Sequence, residues 1–145
     1  MNRLLAGAVF AGLLAPLAAV AGPNLANVGG PLPAAMQGKP VVAVVRADWC
    51  PSCKEVEPVL HRVLDRYGSK VSYVALNVTN SKTATAAAAL AGRDGLAKFY
   101  ESAKEATSTV AIVDPKTGNV VAEFYDQTDP AAYRAAIDKA LTLAK

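Results

Sequence analysis

The chain has two cysteines, Cys50 and Cys53, separated by Pro51 and Ser52. Two thiols three residues apart at the start of a helix can close a small disulfide without distorting the helix behind them. The free amides and the positive dipole end there also stabilise a thiolate. This spacing points to thiol–disulfide exchange. The flanking residues are Asp48 and Trp49 before the pair and Lys54 after it. Trp49 is placed to shape a partner-docking surface, Asp48 and Lys54 to tune the thiolate or to remain solvated, and Pro51 suits a first helical turn because it has no amide hydrogen. A structural zinc site needs about four ligands, whereas the chain offers two cysteines and one histidine, His61. Haem attachment of the c type needs His after the second Cys, where Lys54 stands. A two-cysteine soft site for Cu(I), formed by Cys50 and Cys53, is the alternative metal reading. A purely structural clip is the inert one.

The elements around the pair follow from patterning. Val41 to Val45 is a β-branched run interrupted only by Ala43, as expected for a strand buried on both faces. From about Cys50 to Tyr67, Val56, Val59, Leu60, Val63, Leu64 and Tyr67 recur at helical spacing, and Gly68 ends the segment. At 100° per residue, Cys53 falls on the side of Val56 and Leu60, with Cys50 about 60° further round. That projection makes Cys50 the exposed nucleophile and Cys53 the shielded resolving thiol. His61 lies roughly 130° from the stripe's centre and reads as solvated surface. Pro58 is expected to kink this helix.

Downstream, Val71 to Val78 reads as a strand. Asn80 or Ser81 caps an alanine-rich helix ending at Gly92, and Asp94 caps another through about Lys104. Thr109 to Val113 and Val120 to Tyr125 form a hairpin across Asp114–Gly118. Asp129-Pro130 opens a last helix whose buried face is marked by Tyr133, Ile137, Leu141 and Ala144. Ala34 to Gln37 suggests a short helical turn. No repeat or internal linker interrupts this single α/β domain, assigned to residues 40–145 after an irregular lead-in over 22–39.

The N-terminus reads as an address. Arg3 precedes an uncharged apolar run from Leu4 to Val20, and Ala19-Val20-Ala21 fits a small-x-small cleavage site before Gly22-Pro23. Residues 1–21 are therefore expected to be a cleaved signal peptide, with an uncleaved membrane anchor as the alternative. No cysteine near the cleavage site is available for lipidation. Export, to a bacterial periplasm on this signal type, is compatible with a lasting disulfide. Over all 145 residues, 15 basic and 12 acidic side chains give a net charge of +3, too small a field to suggest nucleic acid. The 52% hydrophobic content excludes a disordered chain, and two cysteines exclude a disulfide-rich miniprotein.

Ala47–Lys54, Pro58 five residues after the second cysteine, and the strand–helix order resemble the thioredoxin superfamily. Ala-Asp-Trp-Cys-x-x-Cys-Lys-Glu-x-Glu and Leu76–Asn80 resemble the C-terminal periplasmic domain of the DsbD family. The resemblance covers Pro40 to the C-terminus. It implies a three-layer fold with a central mixed sheet flanked by helices, and protein thiols or disulfides as partners. It also implies catalysis by Cys50 and Cys53 without a soluble cofactor, electron supply from a membrane donor, and a reductase direction. Three departures stand out. Aligning Thr109–Val113 on the family's strand puts Ser108 where a cis-proline is usual, so that Ser108 and Thr109 are the expected docking residues. Val44 occupies the position of the buried acid, leaving water or Asp48 as a proton route. The intervening pair is Pro51-Ser52.

Overall fold

The computed structural model describes residues 24–145; the signal-peptide reading and its cleavage site lie outside the described residues. Strands β1 (Val41–Arg46), β2 (Ser72–Asn77), β3 (Thr109–Val113) and β4 (Val120–Tyr125) are joined by helices α1 (Pro51–Tyr67), α2 (Ser81–Arg93) and α3 (Ala97–Ala103), and α4 (Pro130–Leu143) closes the chain. The sheet order is β2-β1-β3-β4. β1 pairs in parallel with β2, with Val41 opposite Ser72. It pairs antiparallel with β3, Val41 opposite Val113, and β3 pairs antiparallel with β4.

The apolar run of β1, four valines around Ala43, is explained by its place in the interior of the sheet. Val41, Ala43 and Val45 pack on one side, with Leu96, Phe99, Tyr100 and the small residues Ala87 and Ala91. Val42 and Val44 pack on the other, with Val56, Leu60 and Val63 of α1 and Tyr133 and Ile137 of α4. The alternation of side chains across a strand thus produces three layers. Each of Val56, Leu60 and Ile137 is withdrawn completely from water, stabilising the fold by roughly 1.5–3 kcal/mol apiece. Val44 is one of these core residues, so the usual acid position is apolar here. Helix α1 runs as one helix through Pro58.

Several sequence expectations shift. β2 is one residue shorter at each end than the Val71–Val78 reading. Asn80 is the α2 cap, in a reciprocal capping box with Thr83. α2 runs past Gly92 to Arg93, and the left-handed residue after it is Gly95, φ +76°. The Leu96 amide donates to Ala91 O at 2.7 Å and the Gly95 amide to Gly92 O at 3.4 Å, the pattern of a Schellman ending. Asp94 therefore terminates α2 instead of starting α3. Its carboxylate pairs with Arg93 at 3.0 Å, and α3 begins after Leu96 with no side-chain cap. On α4, Asp129 caps as expected through Ala131 N–H. The buried face is Tyr133, Ala136, Ile137 and Ala140. Leu141 is half-buried against this core, and Ala144, also half-buried, is the C-cap beyond the helix.

The lead-in is more than a linker. Val28 and Leu32 are buried in the α2/α3 layer, and their amides donate to Gly118 O and Pro115 O, each at 2.9 Å. Asn27 bridges to Asn119 across the β3–β4 turn. Gly118 has φ +73°, and a Cβ there would collide with the Gly30 backbone. The turn and the lead-in therefore require a glycine at their contact. Beside them, Glu123 accepts the Leu25 amide on one carboxylate oxygen at 3.2 Å. Its other oxygen is buried with no partner among the described residues. Burial, opposed by that amide bond, pushes the Glu123 carboxyl up.

Candidate functional site

Cys50 and Cys53 form a disulfide with a Cα–Cα separation of 5.3 Å. Cys50 is the N-cap of α1, with φ −80° and ψ 115°, and its sulfur accepts the Cys53 amide at 3.1 Å. Pro51 occupies the first helical position, where no amide is needed. One amide of the helix N-terminus is thus aimed at the Cys50 sulfur, where it would stabilise a thiolate after reduction.

Both cysteines are buried, at 1% and 2% exposure, which corrects the expectation of an exposed Cys50. The helical projection fails because Cys50 lies outside the helix: extended backbone at the cap turns its sulfur inward, over Ala47 and Val78. Ser52 Oγ, 3.7 Å from Cys50 Sγ, adds a second polar neighbour from within the motif. The exposed parts of the motif are Asp48, Trp49, Pro51 and Lys54.

Trp49 is 60% exposed, although it is an aromatic residue beside an otherwise buried pair. It is held there by its indole N–H, which donates to Thr79 O at 2.9 Å. The Asp48 amide donates to Thr79 Oγ1 at 2.9 Å, and the Thr79 hydroxyl and amide both donate to Asn77 Oδ1. Thr79 and Asn77 were missed as site residues by sequence reasoning. Their signal was the polar Asn77-Val78-Thr79-Asn80 stretch at the strand end. A groove of about 490 Å³ opens beside the indole, bounded by Thr79, Asn80, Ala84, Tyr100 and Lys104.

The Asp48 carboxylate is engaged by a cation. It pairs with Arg46 at 2.9 Å, and Arg46 also binds Glu57 at 2.6 Å. The Glu57 hydrogen bond, and then Asp48, push the Arg46 guanidinium above its ordinary value, against desolvation. His61 is exposed, as expected, and stacks edge-on against Tyr73 at 5.3 Å. Burial, with Glu57 nearby, raises the Tyr73 phenol to about 12.

Ser108 and Thr109, the expected docking residues, are both completely buried. The Thr109 hydroxyl donates back to Ala106 O at 2.6 Å and closes a tight turn. Ser108 sits in a trans peptide with φ +71° and donates its amide to Val45 O at 2.8 Å. A proline could adopt neither feature, having φ near −65° and no N–H. The Ser108 hydroxyl donates to Asp126 Oδ1. Among the described residues no group of three or more His, Cys, Asp or Glu side chains converges as a metal site. No helix among them is long and apolar enough to cross a membrane.

Solved structures with the same fold include a putative thiol:disulfide interchange protein DsbE from Chlorobium tepidum (TM-score 0.56, 17% identity, covering 80% of this chain and 96% of that one). Another is a putative protein disulfide isomerase from Bacteroides thetaiotaomicron (TM-score 0.53, 15% identity, 74% and 77%). In sequence, 45 residues are 44% identical to the chloroplastic thioredoxin-like protein HCF164 of Arabidopsis thaliana, which is 31% of this chain and 17% of that protein. The same length is 40% identical to a thiol:disulfide interchange protein TxlA homolog of Synechocystis, 25% of whose length is matched. The chain thus aligns with a quarter or less of either relative. A thioredoxin family model matches residues 34–117, from the lead-in through the disulfide turn to the β3–β4 turn. That span holds the parallel β1–β2 pair, the N-capping disulfide and the antiparallel return of β3, and on it the chain belongs to the thioredoxin family.

Proposed function

We propose that this protein is a periplasmic thiol–disulfide oxidoreductase acting on protein disulfides, in the reducing direction, with no soluble cofactor. The observation that carries the reading is the Cys50–Cys53 disulfide at the N-terminus of α1, with an amide of the helix aimed at the Cys50 sulfur. Relatives named as thiol:disulfide interchange proteins support the exchange chemistry. The N-terminal sequence supports export, and the likeness of Ala47–Lys54 and Leu76–Asn80 to the DsbD family supports the reductase direction and a membrane electron donor.

In the reduced protein, Cys50 thiolate attacks one sulfur of the partner's disulfide. The sulfur–sulfur bond of the partner breaks, one partner thiolate leaves, and a mixed disulfide forms. Cys53 thiolate then attacks Cys50 Sγ, the mixed disulfide breaks, and the second partner thiolate is released. The partner gains two electrons, and its two thiolates take up protons from solvent. The Cys50–Cys53 disulfide that results is the form described here, and an external dithiol must reduce it for the next turn. The shielded oxidised pair and the projecting Trp49 together favour a partner that docks on the indole side before exchange.

Insulin reduction with dithiothreitol as electron source tests this reading. Cys50→Ser is expected to lose turnover to the uncatalysed background. Cys53→Ser is expected to accumulate a mixed disulfide with the partner through Cys50. Turnover by Cys50→Ser at the wild-type rate would overturn the mechanism.

A further inference from the structure

The end of the sheet that carries the disulfide also carries a hydroxyl–carboxylate pair that takes no part in the sulfur chemistry described above. β1 hands the chain to Cys50 at its C-terminal end. β3, antiparallel to β1, begins at that end just after Ser108, and β4 returns to it and passes the chain to Asp126. Ser108 and Asp126 are the two non-glycine residues with positive φ among the described residues, at +71° and +52°. They are joined to each other, the Ser108 hydroxyl donating to Asp126 Oδ1. A residue with a Cβ enters this region only when its surroundings hold it there. For Ser108, the amide bond to Val45 O anchors the backbone on the β1 side. The Asp126 carboxylate anchors the side chain on the other. Ser108 is fully buried whereas Asp126 is exposed, so the lock on an internal turn is operated from the surface.

We propose that Asp126 is a positioning residue for thiol–disulfide exchange. By accepting the Ser108 hydroxyl, it fixes the Ala106–Thr109 turn at the end of β1, and so fixes the shape that this end of the sheet presents to a protein partner, without touching the reacting sulfurs. The proposal rests on the oxidoreductase reading above. It distinguishes partner docking, which needs the turn in place, from sulfur chemistry with a small thiol, which does not.

The test compares wild type, Asp126→Ala and Asp126→Asn in three measurements. For insulin reduction, Asp126→Ala is expected to lose about tenfold in kcat/KM, chiefly through KM. Reduction of its Cys50–Cys53 disulfide by dithiothreitol alone stays within twofold of wild type. In hydrogen exchange by NMR, the Ser108 amide exchanges at least tenfold faster, while Val110–Ile112 in β3 stay protected. Asp126→Asn, which keeps an acceptor oxygen, returns insulin kcat/KM to within threefold of wild type. An unchanged Ser108 amide in Asp126→Ala, or equal slowing toward insulin and dithiothreitol, would overturn the proposal. Wild-type protein unable to reduce insulin would overturn the oxidoreductase reading and with it the catalytic half of the proposal. The exchange comparison would still decide whether Asp126 holds the turn.

Discussion

Two loops meet at the functional end of the sheet, and they are held by different means. The Ala47–Cys53 loop is tied by several neutral hydrogen bonds, from the Asp48 amide and the Trp49 indole to Thr79 and from Thr79 to Asn77. Its outer side chains are exposed, so water can replace any one partner. The Ala106–Thr109 turn is buried at Ser108 and Thr109 and holds a left-handed serine. There, few bonds carry the conformation, and none has a solvent substitute inside. An exposed loop built on redundancy tolerates single losses, whereas a buried turn built on one strained residue does not.

The sharpest way to break this contrast is Ser108→Pro, which installs the residue usual for the family. Because the observed φ is positive and the amide is used by Val45, the substitution should destabilise by about 3 kcal/mol or more. Thermal unfolding should show a Tm roughly 10 °C lower. An unchanged Tm would show that the turn is indifferent to its backbone geometry. Thr79→Val tests the other loop. It removes the hydroxyl bonding the Asp48 amide, but that amide remains accessible to water, so a loss of only about 1 kcal/mol is expected by denaturant titration. A loss as large as that of Ser108→Pro would erase the distinction.

The smallest effect should come from Glu123→Gln, on the edge strand β4 and facing the lead-in. Burial raises this carboxyl in the folded state, so the fold binds its proton more tightly than the unfolded chain does. Stability contributed by Glu123 should therefore fall as pH rises through the ordinary glutamate range up to the raised folded value. Glu123→Gln removes that dependence. It should raise Tm by a degree or two at pH 7 and leave it unchanged near pH 3, by scanning calorimetry at both pH values. A gain of equal size at both would assign the effect to packing instead of charge.

Much of this was legible beforehand because it is written in local chemistry. A valine run and a stripe at helical spacing announced β1 and α1, and two cysteines at the junction announced the redox turn. Boundaries were misread where a local rule had two valid solutions. Asp94 is a good helix start by residue type, yet the following Gly95 and Leu96 close the previous helix, and packing of Leu96 into the core selects that outcome. The lead-in reads as irregular because its Gly and Pro content hides the two side chains, Val28 and Leu32, that dock it.

The sequence by itself determined the β1 strand, the α1 stripe and the chemistry of the cysteine pair, since periodicity and residue type act over a few neighbouring positions, while the three layers were implied by the family resemblance. Tertiary structure alone decided that Cys50 is shielded, that Thr79 holds Trp49 outward, and that Ser108 is paired with Asp126. Those outcomes depend on contacts between residues far apart in the chain, 18 positions for Ser108 and Asp126 and 30 for Trp49 and Thr79. No local propensity encodes them, because the partner is supplied only when the strands have paired and brought their ends together.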